Sequence, residues 1–220
     1  PLDWYHVMLS YRQETEKPFA ANLYDAIAQF TTSATTDATS AGDAGGRAIR
    51  VFLDQERLQG GQKWEDCVVQ GLCNSFVFVP IVSDGSVSGM QKRFEQSPDR
   101  VDYVLLEWML ALELHEHGRM LRIYPLFMGE WKQPSASASS GTGPRMLGFD
   151  RDAQLARVPD EVSEPTWQRL CELASRFPLI PGEPRRRTAR EVARAITEFQ
   201  GVNLWDLKST HGRADEPMLA

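Results

Sequence analysis

The run FVFVPIV at residues 76–82 decides the fold. It has the length and the β-branched and aromatic content of a strand, yet it is apolar at every position, so both of its faces must be covered. Three more runs share that character: YHVMLSY at 5–11, IRVFL at 49–53 and IYPLF at 123–127. A fifth, weaker strand is expected at 177–180. Helical stripes separate the strands. Pro18 suits the N1 position of the first helix, with Phe19, Leu23, Ile27 and Phe30 following on one face. Further helices are expected over 64–72, 102–115, 165–176 and 188–199, the last with Val192, Ile196 and Phe199 as its buried stripe. This alternation, with right-handed crossovers, predicts an α/β fold: a flavodoxin-like doubly wound sheet of about five parallel strands with helices on both faces. Ligands of such sheets bind outside the carboxyl ends of the strands, which directs attention to residues 10–13, 54–63 and 83–85.

Two stretches, 31–46 (TTSATTDATSAGDAGG) and 133–144 (QPSASASSGTGP), contain no large apolar residue. Neither offsets its own ordering entropy, so both read as polar insertions. Setting them aside, with residues 202–220 as a flexible tail, leaves a single domain within 1–201 whose core is about 170 residues. The chain starts at Pro1 without a charged-then-apolar leader and is expected to be part of something longer.

The net charge of −6, from 24 Lys+Arg against 30 Asp+Glu, argues against a broad surface for nucleic acid. No apolar run approaches the roughly 18 residues of a membrane span. Cys67, Cys73 and Cys171 form no C-x-x-C pair and read as buried free thiols of a reducing compartment, so a cytoplasmic location is expected. No metal site is expected either: His115 and His117 are two apart on a helix and do not face each other. Asp54 ends the second strand as a receiver phosphoacceptor would, but the first strand ends in Ser10-Tyr11-Arg12, where a magnesium site would need acids. The glycines at 42–46 precede a strand rather than follow one, unlike a phosphate-cradling loop. Arg185, Arg186, Arg187, Arg190 and Arg194 read as a solvated face.

Residues 103–114, YVLLEWMLALEL, form a helical segment apolar nearly all the way round, so the helix is expected to be buried. Only Glu107 and Glu113 interrupt it. Tyr103, Leu110, Ala111 and Leu114 share the face of Glu107, which therefore turns toward a cleft or is poorly solvated. The helix follows the third strand, so its start lies near the ligand-binding rim, where Arg12, Asp54, Trp64 and Ser83 would converge.

At these residues the chain resembles the Toll/interleukin-1 receptor (TIR) domains. YHVMLSYR at 5–12 resembles the first TIR box, VFLDQERLQGGQKWED at 51–66 the second strand with its BB loop, and FVPIVSDG at 78–85 the third strand with its Ser-x-Gly end. Tyr103 and Glu107 occupy the W-x-x-x-E position of the NAD-cleaving branch, and the likeness is nearest to the TIR of the sterile-alpha-and-TIR-motif NADases. The resemblance implies Glu107 as the catalytic glutamate. It implies a substrate pocket lined by Tyr11 and Arg12 from the first loop, Leu58 and Trp64 from the BB loop, Ser83 and Tyr103, and Trp131 supplied by a neighbouring protomer. It further implies NAD+ as substrate rather than resident cofactor, and other TIR domains as partners, with homo-oligomerisation on activation in signalling, immunity or cell death.

One carboxylate suits that chemistry. Nicotinamide leaves NAD+ as a neutral molecule and needs no general acid, unlike the leaving groups for which glycosidases carry carboxylate pairs. A preorganised Glu⁻ would stabilise the cationic ribosyl centre, giving nicotinamide and ADP-ribose or its cyclic form. Aromatic Trp64, Tyr103 and Trp131 suit stacking on the bases, and Arg12 suits pyrophosphate. The alternatives are a non-catalytic signalling adaptor acting through TIR–TIR contacts and a sensor that binds nucleotide without turnover.

Overall fold

A computed structural model describes residues 4–33, 49–53, 64–129, 131–132, 145–146, 149–177 and 181–203. The first strand, β1 (Tyr5–Ser10), lies between β2 (Val51–Phe52) and β3 (Ser75–Val82), and both pairings are parallel. The far edge of β3 pairs with β4 (Arg122–Ile123) along its first half and β5 (Leu126–Phe127) along its second. These two are halves of one strand interrupted at Pro125, which has no N–H to give. On either side of it, the Tyr124 N–H reaches the Phe78 carbonyl at 2.8 Å and the Met128 N–H that of Val82 at 2.9 Å. A last strand, β8 (Val202–Asn203), pairs with β5, so the order is β2-β1-β3-β5-β8, parallel throughout. Apart from this sheet, β6 (Trp131–Lys132) and β7 (Arg145–Met146) form an antiparallel pair that brackets the polar stretch 133–144.

The helices are α1 (Gln13–Ser33), α2 (Trp64–Cys73), α3 (Asp84–Gln96), α4 (Tyr103–Glu116), α5 (Arg151–Arg157), α6 (Glu164–Arg176) and α7 (Ala189–Glu198). They cover both faces, as the doubly apolar strands require. Leu9, Val79 and Ile81 turn to one face, where Ala20, Leu23, Tyr24 and Ile27 of α1 meet them. Met8 and Phe78 turn to the other, against residues of α2, α3, α4, α6 and α7. Helix α4 is buried around its whole circumference, with Trp108 and Ala111 fully enclosed, and it packs on α6 and α7.

Several expectations are corrected. Pro18 does not open α1; it sits within the helix, which begins at Gln13 because the Glu16 carboxylate accepts the Arg12 N–H at 2.5 Å and closes the first turn. The helix also runs through residues 31–33 of the first polar stretch. No strand starts at Phe177. That residue ends α6, its N–H donating to the Leu173 carbonyl at 2.9 Å, and residues 178–180 lie outside the described set. The fifth strand is β8, so Val202 and Asn203 belong to the sheet and not to the tail. Helices α3 and α5 were not anticipated. None of the three cysteines is in a disulfide; Cys67 is buried and Cys73 and Cys171 are half-buried, and burial pushes the Cys73 thiol up to about 12.

The arginine run before α7 is only partly a solvated face. The Arg187 side chain is only 8% exposed and its guanidinium donates to Glu113, the second carboxylate of α4, and to Glu116 at 2.6 Å; the Arg185 N–H also donates to Glu113 at 3.2 Å. Removing one partner of such a pair leaves an uncompensated buried charge. Glu113→Ala should therefore cost about 3 kcal/mol in urea unfolding, while Arg194→Ala, on the exposed face, should change stability by less than about 0.5 kcal/mol.

Candidate active site

The turn from β1 into α1 is pinned by charges buried on three sides. Arg12 is 7% exposed and its Nη2 lies 3.1 Å from both Asp102 oxygens. Asp102 is the N-cap of α4, accepting the Leu105 N–H at 3.1 Å, and its own N–H donates to Thr166 of α6 at 3.0 Å. The arginine stem lies against α3 at Gly89, where a Cβ would stand 2.4 Å from Nε. Glu16 ties the same turn to β3: besides the Arg12 N–H, it accepts the hydroxyl of Ser83, the N-cap of α3. Burial raises the Glu16 carboxyl above its ordinary value of 4.5, against the opposing pull of the Arg12 N–H, the Ser83 hydroxyl and the Arg12 charge.

Beside this framework, at the carboxyl end of β1, opens a cleft of about 420 Å³. Met8, Leu9, Tyr11 and Arg12 come from β1 and its turn, Gln13 and Glu14 from α1, Arg93 from α3, and Tyr103, Val104 and Glu107 from α4. The Ser10 hydroxyl donates to Glu107 Oε2 at 2.6 Å, fixing the carboxylate on the strand end. Glu107 is half-buried, and on its other side, with Tyr103, it borders a small apolar crevice formed with Val68, Leu72, Leu106 and Leu173. The carboxylate thus lies between the cleft on one side and an apolar flank on the other.

Of the residues singled out from sequence, Tyr11, Arg12, Tyr103 and Glu107 come together in this cleft. Ser83 is buried below it with its hydroxyl committed to Glu16, and it does not line the cleft. Leu58 lies outside the described residues, as do the side chains of Trp64, which starts α2, and Trp131, which starts β6. Sequence reasoning missed Ser10, Arg93 and Asp102 as individual residues. Ser10, a hydroxyl at the ligand end of an otherwise apolar strand, carried a signal; Arg93, in an unanticipated helix, carried none. Among the described residues no cluster of His, Cys, Asp or Glu could hold a metal ion, and no helix is long and apolar enough to cross a membrane.

Asp102→Ala removes both the counter-charge of Arg12 and the cap of α4, and should cost about 3–5 kcal/mol in denaturant unfolding. Glu16 gives a pH signature. Its folded value exceeds its unfolded one, so the folded state binds the extra proton and stability falls as pH rises above 4.5 through the folded value. Measured from pH 4.5 to 8, the stability of the wild type should decline relative to Glu16→Gln; a constant difference would show that Glu16 does not titrate in this way.

No protein-family model and no curated protein matches the chain. Among solved structures it is similar to the TIR domains in the structure of the activated Roq1 resistosome directly recognizing the pathogen effector XopQ. The TM-score is 0.50 at 13% identity, over 93% of this chain and 90% of that one. At that identity the likeness is one of architecture, and it agrees with the strand order and the helices on both faces: the chain has the flavodoxin-like α/β fold of a TIR domain.

Proposed function

We propose that the protein is an NAD+ glycohydrolase of the TIR type, nearest in chemistry to the NAD-cleaving branch, with Glu107 as its catalytic residue. The observation that carries this reading is the Glu107 carboxylate, tethered by Ser10 in a cleft walled by Tyr11 and Tyr103. A purely scaffolding TIR fold has no need of a half-buried carboxylate held at the ligand-binding end of the sheet.

In the proposed reaction the C1′–N1 bond between ribose and nicotinamide breaks and its electron pair leaves with the neutral nicotinamide. Positive charge develops on the ribosyl centre, where Glu107⁻ stabilises it without moving. Water then adds to C1′ and loses its proton, giving ADP-ribose; attack by the adenine ring gives the cyclic product. Tyr11 and Tyr103 offer aromatic faces to the departing ring while it is still cationic. Arg12, Leu58 and Trp64 complete the pocket as the sequence resemblance implies, with Trp131 contributed by a neighbouring TIR domain, while Ser83 acts from below the cleft by holding Glu16. Assembly of such domains completes the site and switches it on, in a signalling or cell-death response in the cytoplasm. The similarity to the TIR domains of a resistosome supports the assembly part of this reading.

The test is nicotinamide release from NAD+ by concentrated or artificially clustered protein. Glu107→Gln should lower kcat by about 10²–10³, the usual cost of losing one preorganised transition-state stabiliser. Equal turnover by wild type and Glu107→Gln would overturn the assignment. Ser10 is a positioning residue: Ser10→Ala should lower kcat about tenfold with KM nearly unchanged, an effect of one hydrogen bond, and Ser10→Thr should restore most of the rate.

A further inference from the structure

Arg12 is surrounded by groups that already balance its charge, whereas a second arginine in the same cleft is not. Arg93 stands in the last turn of α3 and is half-buried; among the described residues its side chain makes no hydrogen bond or ion pair. It is also where two cavities meet. One is the cleft of Glu107; the other, of about 280 Å³, lies between α1 and α3 and is lined by Arg12, Thr15, Gly85, Gly89, Lys92 and Arg93 among others. Gly85 and Gly89 let α3 approach Thr15 and Arg12, since a Cβ at either would stand 2.4 Å from the nearest atom. That approach brings Arg93 to the rim of the Glu107 cleft. Lys92, exposed and likewise without an ionic partner among the described residues, continues the positive edge along the second cavity. The one acid common to both walls, Glu14, is exposed, so water screens its charge more than that of the half-buried Arg93.

We infer that Arg93 is the residue that binds the diphosphate of the dinucleotide, which runs from Glu107 past Arg93 into the groove between α1 and α3, with Lys92 at its outer end. This rests on the reading of Glu107 as the group facing the nicotinamide riboside. A guanidinium whose donors are not spent on a carboxylate is suited to paired phosphate oxygens, while Arg12, engaged by Asp102, holds the turn that shapes the cleft.

The inference is tested by calorimetry in a Glu107→Gln background, which separates binding from turnover. ADP-ribose carries the diphosphate and nicotinamide riboside does not. Arg93→Gln should weaken ADP-ribose about tenfold or more and leave nicotinamide riboside unchanged; Arg93→Lys should recover part of the loss, and Lys92→Gln should give a smaller one. The melting temperature should not move, because the Arg93 side chain has no hydrogen-bond or ionic partner among the described residues to lose. Unchanged ADP-ribose affinity in Arg93→Gln, equal weakening of both ligands, or no ADP-ribose binding by the parent at millimolar concentration would each overturn the assignment. Absence of nicotinamide release by the wild type, with Arg93-dependent ADP-ribose binding retained, would remove the proposed reaction and leave the diphosphate site standing.

Discussion

The buried ion pair between Arg12 and Asp102 is the constraint on which the rest of the cleft depends. Two charges taken out of water are tolerated when each is matched by the other at hydrogen-bond distance, and this pair is so matched although Arg12 Nε has no hydrogen-bond partner among the described residues. Here that matching joins segments far apart in the chain: the end of β1, the start of α4 and, through Thr166, the start of α6. Glu16 and Ser83 extend the same logic to the end of β3. Four strand and helix ends are thus held by charge and hydrogen bonds where apolar packing alone would allow them to slide.

Glu107 gains its position from this arrangement without belonging to it. It lies on α4 after the capped turn, so the Asp102 cap sets where the helix starts, and the burial of Trp108, Ala111 and Leu112 sets how it is rotated. The Ser10 hydroxyl adds a tether to the carboxylate itself. A group on a packed helix and a tether on a paired strand hold a geometry better than two loops would.

The sheet and α4 were legible in the sequence because their signals are strong and local: runs apolar on both faces for the strands, and a helix apolar all round. Helix α3 was not, since DGSVSGMQKRFEQ combines two glycines with polar residues and lacks a clear stripe. It forms because Ser83 and Ser86 cap it reciprocally and because its glycines meet Thr15 and Arg12. Pro18 read as a helix start because its preference for N1 is real; the earlier start at Gln13 depends on a bond from Glu16 that no periodicity reveals. A strand as short as β8 has no pattern to detect. Of the cleft, Glu107, Tyr11, Arg12 and Tyr103 could be placed from the sequence, but the pairing of Arg12 with Asp102 joins residues 90 apart and becomes visible only in three dimensions.

The burial of α4 by helices that come later in the chain has a consequence for synthesis. Every described residue that lines the Glu107 cleft has been made once residue 107 is reached, yet α6 and α7, which cover the opposite side of α4, follow much later. At about 5–20 residues per second the interval before α7 is complete is on the order of ten seconds. During that time a helix apolar on every side has only part of its cover. The nascent chain therefore carries all the described chemistry of the cleft before it can hold the geometry, and any activity must await its C-terminal helices.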